Sequence, residues 1–191
     1  MADHFEYDRN FTHLTPESPD FQKGEYENCT FQNCNFSHAD LSEFVFMECE
    51  FIDCDLSNAQ IRKASFKTVT FTRCKLMGLR WDECHNFLLR FTFDECLLNF
   101  SSFYAMDIKD TAFAKCSMVE VDFTDADCES CSFQGANMAG AMFDHTNLQK
   151  ANFREAINYR IHPTDNNIRG AQFSTDGVSG LLEAFQIHIV D

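Results

Sequence analysis

Residues 29–56 read CTFQNCNFSHADLSEFVFMECEFIDCDL, and in this stretch a large apolar residue recurs at every fifth position. These residues are Phe31, Phe36, Leu41, Phe46, Phe51 and Leu56. Two residues before most of them the side chain is small, as at Cys29, Cys34, Ala39, Cys49 and Cys54. A period of five fits neither an amphipathic helix, which repeats every ~3.6 residues, nor a long strand, which repeats about every two. It predicts a chain that turns a corner every five residues.

The same pattern extends to both sides of this stretch. It begins at Tyr26, continues to Trp81, slips in phase through residues 82–87, and resumes at Leu88 as far as Phe153. Four five-residue sides close a square coil of about 20 residues. That spacing is visible in three ladders of like residues: Phe31, Phe51 and Phe71; Phe93, Phe113, Phe133 and Phe153; and Cys34, Cys54 and Cys74.

Stacked coils provide packing contacts for the side chains and hydrogen-bond partners for the backbone. They place like residues one strand spacing apart, about 4.8 Å. This spacing suits offset stacking of phenylalanine rings and lets each backbone amide pair with the coil above or below. We therefore predict a solenoid of about six and a half coils, roughly 31 Å long, with Leu88 as one of the inward residues.

The repeat resembles that of the pentapeptide-repeat family, whose motif is Ala or Cys, then Asp or Asn, then Leu or Phe. The motif occurs at residues 34–36, 39–41, 54–56 and 151–153, and the resemblance covers about residues 21–155 with a last partial coil at 171–173. It implies an all-β fold, a right-handed quadrilateral β-helix. We expect an N-terminal cap segment at 1–20, the solenoid at 21–173, and a C-terminal helix and strand at 174–191.

The C-terminal segment departs from the five-residue pattern. Residues 174–185 predict a short helix with Ser174 or Asp176 as its N-cap. Residues 187–190 could add a strand. A solenoid end must be capped because its strand edges are unpaired. The alternative role is a homodimer contact, whose predicted residues are Val178, Leu181, Leu182, Phe185, Ile187 and Ile189.

Three segments narrow the resemblance to one subgroup of the family. They are residues 74–81, residues 102–104, and the ending from Ala156 onward. This subgroup is the bacterial topoisomerase-protecting pentapeptide proteins, which confer quinolone resistance or self-immunity to albicidin- and microcin-type gyrase poisons. The resemblance implies a homodimer joined through C-terminal helices. It also implies an acidic rod that mimics duplex DNA and docks on the DNA-binding saddle of DNA gyrase or topoisomerase IV.

Composition limits the classes of partner. The chain has 30 acidic and 15 basic residues, with a net charge of −15, which argues against direct binding of nucleic acid or anionic membranes. The start of the chain carries no secretion signal, and no apolar run is long enough to span a membrane. We therefore expect a cytoplasmic location, where the ten cysteines are reduced thiols.

Acidic residues are the candidate partner-binding residues. They cluster between residues 24 and 61 and between residues 105 and 130, with two more at the phase slip. The predicted set is Asp40, Glu43, Glu48, Glu50, Asp53, Asp55, Asp82, Glu83, Asp107, Asp110, Asp122, Asp125 and Asp127. Many directly precede a large inward residue, where an Asp can also bond the turn backbone. A basic band at 62–80 opposes mimicry unless it pairs with acids on neighbouring coils.

Signs of catalysis are weak. Cys128 and Cys131 form a CxxC spacing, which a redox pair or half of a metal site would have, but both also fit inward positions of the repeat. The histidines show no ligand spacing, and no phosphate-binding or nucleophile motif occurs. We expect no enzyme activity, cofactor or metal. The alternative function is a scaffold that binds an unrelated protein through a solenoid face or the 82–87 bulge.

Overall fold

Parallel pairing between segments about 20 residues apart winds the chain into a right-handed, four-sided β-solenoid of about eight turns. The computed structural model describes residues 4–188. The strands are β1 Phe5–Tyr7, β2 Asn10–Thr12, β3 Glu25–Glu27, β4 Thr30–Gln32, β5 Val45–Met47, β6 Glu50–Ile52, β7 Ser65–Lys67, β8 Val69–Thr72, β9 Phe91–Asp94, β10 Ala112–Ala114, β11 Asn152–Phe153 and β12 Gln172–Phe173. Short 3-10 helices are η1 Trp81–Glu83, η2 Thr175–Leu181 and η3 Glu183–Phe185. The predicted fold class is confirmed.

Four faces run along the rod, and each is named here by its buried centre residues. Face 1 contains Tyr26, Phe46 and Phe66, then Ile108 and Cys128; face 2 contains Phe31, Phe51, Phe71, Phe93 and Phe113; face 3 contains Phe36, Leu56, Leu76, Leu98 and Met118; face 4 contains Leu41, Ile61, Trp81, Phe103 and Phe123. In faces 1 and 2 the strands form sheets of order β1-β3-β5-β7 and β10-β9-β8-β6-β4-β2. Faces 3 and 4 are held mainly by single parallel bridges such as Asn35 to Asp55 and Ser102 to Asp122.

A continuous phenylalanine ladder fills the core behind face 2. Neighbouring rings lie 4.7 to 5.3 Å apart between centroids, with interplanar angles of 6° to 23°. The members are Phe11, Phe31, Phe51, Phe71, Phe93, Phe113, Phe133, Phe153 and Phe173. The ladder crosses the phase slip without a break, since Phe71 stacks on Phe93 at 5.3 Å. The two ladders predicted from the sequence are therefore one.

A second aromatic column changes face halfway along the rod. Below the phase slip it follows face 1 as Tyr26, Phe46 and Phe66, and above it follows face 4 as Phe103, Phe123 and Phe143. Trp81 joins the two halves, with ring centroids 5.4 Å from Phe66 and 5.9 Å from Phe103. The core thus stays aromatic where the repeat is interrupted.

The prediction that Leu88 points inward is wrong. Leu88 is 66% exposed, and its neighbour Phe87 is 63% exposed. Phe91 is buried instead, with its ring centroid 4.8 Å from that of Trp81. Phe91 stands two positions before the centre residue Phe93, where the side chain is usually small. Its ring fills the space that an inward Leu88 would occupy. The extra residues therefore bulge outward, as expected for the phase slip.

The repeat begins earlier than the sequence pattern indicated. Residues 1–20 were expected to form a cap, yet β1 pairs with β3 and β2 pairs with β4 in parallel register. Phe11 is buried and stacks on Phe31 at 5.1 Å. Residues 4–20 therefore contribute a coil of their own, which covers the end of the rod with the same architecture.

The C-terminal segment packs on the last coil as two 3-10 helices. Ser174 precedes η2 as predicted, but its hydroxyl oxygen accepts a hydrogen bond from the backbone N–H of Glu155 at 2.8 Å. Gly177 and Gly180 lie directly against Tyr159, and a Cβ at Gly180 would approach the Tyr159 carbonyl oxygen to 2.2 Å. Ile187 and His188 are outside any strand, and the rest of the predicted strand at 187–190 lies outside the described residues.

Each corner of the solenoid needs a residue in the left-handed region of backbone conformation. These residues stand two positions after the centre residue, with φ near +55°, as at Asn33, Asp53 and Thr68. Glycine, Asn and Asp tolerate this conformation best, and a β-branched residue such as Thr68 is strained by it. The residue just before the centre also stabilises the turn when it is Asp or Asn. Its side chain accepts a hydrogen bond from the turn backbone, as Asp40 does from the N–H of Ser42 at 3.0 Å.

The phenylalanine ladder should determine the stability of the rod. We predict that Phe113→Ala lowers the midpoint of thermal unfolding by roughly 6–20 °C, since emptying such a core site costs about 3–5 kcal/mol. Phe100→Ala is the matched control because Phe100 is 58% exposed, and its midpoint should stay close to the parent value. Equal melting of the two variants by circular dichroism would contradict the ladder register.

The left-handed corner at Thr68 should be improvable. We predict that Thr68→Gly raises the midpoint of thermal unfolding by roughly 2–4 °C, because removing the strained Cβ stabilises the fold by about 1 kcal/mol. Thr72→Gly in β8 is the control and should lower the midpoint, since glycine weakens a strand. A loss of stability in Thr68→Gly would show that the corner carries no strain.

Candidate partner-binding surface

The predicted acidic residues are distributed over all four faces of the rod. Face 4 and its corners hold the largest group, Asp40, Glu43, Asp82, Glu83, Asp122 and Asp125; face 1 holds Glu48, Asp107, Asp110 and Asp127; face 2 holds Glu50 and Asp53; and face 3 holds Asp55. The structure therefore does not gather these residues into one site. It displays them around a rod, with the greatest density on face 4.

One set of these acids has a structural role in the turns. Asp40, Asp55 and Asp122 directly precede a buried centre residue, and each Oδ1 accepts a backbone N–H two residues later at 3.0, 2.9 and 2.9 Å. The prediction that acids beside a centre bond the turn backbone is confirmed for these residues. Each leaves a second carboxylate oxygen that does not take part in the turn, so a structural and a binding role are compatible.

Another set stands at the corners, where the side chain projects away from the rod. Glu48, Asp110 and Asp125 have φ values of 53°, 59° and 58°. A glutamate gains nothing from this backbone conformation, in contrast to Asn, Asp or Gly. Their carboxylates stand at the outer edges of the faces, the positions that a flat or concave partner would contact first.

Three of the six basic residues in the band at 62–80 are paired with acids from neighbouring positions. Arg73 Nε lies 2.7 Å from Asp53 Oδ1, and Lys75 Nζ lies 3.5 Å from Asp55 Oδ2, each one coil away. Arg80 Nη2 lies 2.7 Å from Asp82 Oδ2. The charge of residues 62–80 is thereby partly neutralised within the chain. The sequence left two alternatives open for the basic band: it could repel a basic partner, or it could pair with acids within the rod. For Arg73, Lys75 and Arg80, the structure shows pairing within the rod.

Three further predicted acids form ion pairs with lysines. Lys23 Nζ lies 2.6 Å from Glu43 Oε2, and Lys109 Nζ lies 3.0 Å from Asp127 Oδ2 and 3.5 Å from Asp107 Oδ2. Within residues 4–188 the predicted acids without an ion pair are Asp40, Glu48, Glu50, Glu83, Asp110, Asp122 and Asp125. These seven are the acids most available to an external cation.

Hydrogen bonds and ion pairs keep several carboxylates ionised. Hydrogen bonds from Ser42 lower the pKa of Asp40, and the Lys23 ammonium lowers the pKa of Glu43. Burial raises the pKa of Asp82, but hydrogen bonds from Arg80 and Ser102 outweigh it, and the pKa is lowered overall. The lowered pKa values favour the charged form of these three carboxyl groups at neutral pH.

The cysteines belong to the core. Cys128 and Cys131 are both buried, and the Cys131 thiol donates to the Ile108 carbonyl oxygen at 3.1 Å. Burial raises the pKa of Cys128 well above its usual value, which disfavours the thiolate that redox or metal chemistry needs. The prediction that this pair fills inward positions is confirmed. In the part of the chain that the structure describes, no group of three His, Cys, Asp or Glu side chains could hold a metal ion.

The predicted dimer residues differ in exposure. Val178, Phe185 and Ile187 are 43%, 49% and 56% exposed, whereas Leu181 packs partly against the core. Leu182 is half-buried between η2 and η3, and Ile189 lies outside the described residues. An apolar surface thus remains at this end of the rod. The described residues include no helix with the length and apolar character needed to cross a membrane.

Loop residues 85–88 are exposed and form a separate projection with an apolar tip, which the sequence located only in part. The bulge was expected to carry Asp82 and Glu83 outward, but Asp82 is paired with Arg80, and the exposed tip is Phe87 and Leu88. The signal for the tip was the break in the five-residue pattern itself. Sequence reasoning missed Phe100, Tyr104 and Met142, large exposed apolar residues on faces 3 and 4.

Comparison with known proteins agrees with this architecture. A family model described as a pentapeptide repeat region matches residues 44–114 and 106–178. A trypsin-treated variant of QnrB1, a plasmid-mediated fluoroquinolone resistance protein, aligns with a TM-score of 0.65 at 16% identity, covering 98% of this chain and 100% of that one. HetL from Nostoc sp. strain PCC 7120, involved in heterocyst differentiation regulation, aligns at 0.45 and 19% identity, covering 86% and 85%. At these identities the likeness to QnrB1 concerns the fold. No curated protein matches the sequence.

Proposed function

This chain belongs to the pentapeptide-repeat family, and from that premise we propose that it is a non-enzymatic interaction protein that binds DNA gyrase or topoisomerase IV and protects it from gyrase poisons. The observation that carries the proposal is the display along the rod of acids that have no ion pair within residues 4–188, such as Glu48, Asp110 and Asp125. The resemblance of residues 74–81, 102–104 and the C-terminal segment to topoisomerase-protecting proteins supports this choice of partner.

The charge density of the rod supports DNA mimicry. Eight steps of the phenylalanine ladder at about 4.8 Å give a rod of roughly 38 Å. Duplex DNA carries one phosphate charge per about 1.7 Å, so a duplex of that length has on the order of 20 negative charges. The net charge of this chain is −15. A basic saddle shaped for DNA would therefore meet a comparable field, while the acids repel nucleic acid itself.

Binding of this kind requires no covalent chemistry. The protein would occupy the saddle in competition with DNA, and so displace or release a drug-poisoned complex. Affinity would arise from shape and from many charge pairs, and should weaken steeply with salt. A homodimer joined at the C-terminal ends would double the length of the acidic rod to roughly 76 Å. The rod would then span more of an elongated basic surface.

We predict that the protein inhibits gyrase supercoiling, or preserves it in the presence of a fluoroquinolone or albicidin, and that this effect fades between low and moderate salt. Asp122→Asn with Asp125→Asn should weaken the effect and reduce its salt dependence, because two unpaired charges are lost while Asn keeps the turn hydrogen bond at position 122.

The matched control is Asp53→Asn with Glu95→Gln, which changes the net charge equally but removes acids already paired with Arg73 and Lys115. It should have the smaller effect. The proposal would be overturned if gyrase and topoisomerase IV kept their normal activity and drug sensitivity in the presence of an excess of this protein.

The C-terminal dimer has its own test. We predict that Phe185→Glu converts a dimer into a monomer by light scattering, because a charge enters the apolar surface formed with Val178 and Ile187. Phe5→Glu is the control, since Phe5 is 57% exposed at the opposite end of the rod. A mass that is unchanged in Phe185→Glu, or halved in Phe5→Glu, would exclude the C-terminal contact.

One observation favours a second candidate function, a scaffold for an unrelated protein. Phe87 and Leu88 project from the rod with 63% and 66% of their surfaces exposed, and Leu88 lines a shallow depression together with Lys67 and Arg90. Such a loop could anchor a partner without any role for the acidic faces. Binding of a partner that is insensitive to salt and lost in Phe87→Ser with Leu88→Ser would support this function over DNA mimicry.

A further inference from the structure

Large apolar side chains are exposed on face 4 in the C-terminal half of the rod. Phe100 and Tyr104 stand on the same coil, near the two edges of the face, and are 58% and 47% exposed. Met142, two coils further along, is 50% exposed. The bridges Ser102 to Asp122 and Asp122 to Met142 fix these coils in register. Phe100 and Tyr104 thus form one apolar row across the face, Met142 marks a second row two coils further along, and one coil lies between the two rows.

The backbone at Phe100 is unfavourable for the residue it carries. Phe100 has φ of 62°, at a corner where the equivalent residue one coil earlier is Gly78. A bulky side chain is an outlier in this conformation, and the exposed ring gains little packing within the chain to offset the cost. The local sequence therefore presents an aromatic ring to the outside where glycine or Asn would give a more stable corner.

The coil between the apolar rows is acidic. Glu120, Asp122 and Asp125 lie on it, and none of them has an ion pair among the described residues. These carboxylates lie on the coil between the row that holds Phe100 and Tyr104 and the row that holds Met142, and neighbouring coils are about 4.8 Å apart along the axis. The carboxylates exclude a nucleic-acid or anionic lipid occupant and favour a cation.

We infer that this part of face 4 is the docking surface for a basic, arginine-bearing protein surface. This proposal rests on the proposed function. It names the region of the rod that contacts the partner and the type of side chain that the region would bind. A guanidinium can stack on an aromatic ring and at the same time donate to a carboxylate. The juxtaposition of Phe100 or Tyr104 with Glu120, Asp122 and Asp125 offers both contacts to one arginine, whereas lysine would gain less from the ring.

Apolar contacts would let the rod distinguish one basic protein from another, which charge alone cannot do. Charge pairs along an acidic rod attract any basic protein and are weakened together by salt. Contacts to Phe100 and Tyr104 would persist at moderate salt and require a partner of matching shape. Aromatic residues are also the side chains most often found to dominate binding free energy at interfaces.

The test measures binding to the DNA-binding core of gyrase at several salt concentrations by calorimetry or surface plasmon resonance. Phe100→Ala with Tyr104→Ala should reduce affinity at least about tenfold at every salt concentration and leave the salt slope unchanged. Asp122→Asn with Asp125→Asn should instead reduce the slope. Both variants should melt like the parent, because the altered side chains lie outside the core.

Phe87→Ala with Leu88→Ala is the matched control, since it removes a similar exposed apolar area from the loop. Its affinity should stay near the parent value. Parent-like binding by the Phe100 and Tyr104 variant, or a loss confined to the loop variant, would overturn the docking surface and leave the proposed function standing. Failure of the parent protein itself to bind would overturn both.

Discussion

The match between two spacings is the constraint on which the rest of this structure depends. Parallel backbone pairing sets the distance between coils at about 4.8 Å, and offset stacking of phenyl rings is favourable at nearly the same distance. The ladder from Phe11 to Phe173 meets both requirements, with centroid separations of 4.7 to 5.3 Å. Each coil then needs only small side chains two positions before its centres and left-handed residues at its corners. Both appear in the sequence with the same period.

That constraint explains how much of the fold the sequence predicted. A residue that must stack on its equivalent 20 positions away is visible as a periodic pattern, so the inward set and the fold class followed from the period. Leu88 was assigned wrongly because counting fives cannot tell which residues leave the coil when the phase slips. The first coil was missed because residues 13–20 lack the pattern, although Phe11 lies 20 residues before Phe31. Contacts between coils, rather than the local repeat, define that coil.

The candidate surface was less predictable than the fold, and the reason is also physical. An acid directly before a centre residue satisfies the turn, so its presence alone says little about binding. Pairing of Arg73 with Asp53 and Lys115 with Glu95 follows the 20-residue offset and is readable once the coil is known. The exposure of Phe100 and Tyr104 could not be predicted from the sequence, because an aromatic residue outside the inward positions can either pack back onto the rod or project from it.

The inward side chains of the described coils are used in packing, which leaves the outer surface to contact a partner. Inward positions are filled by stacked rings and buried thiols, so a partner meets only corner residues and the side chains between them. Corners favour glycine, Asn or Asp on conformational grounds, and the corner residues Asp53, Asp110 and Asp125 agree with that preference. Phe100 does not, and it stands one coil from three carboxylates that have no ion pair within residues 4–188. A residue that is unfavourable for its own backbone, exposed, and placed beside unpaired charge is best explained by a contact made outside the chain.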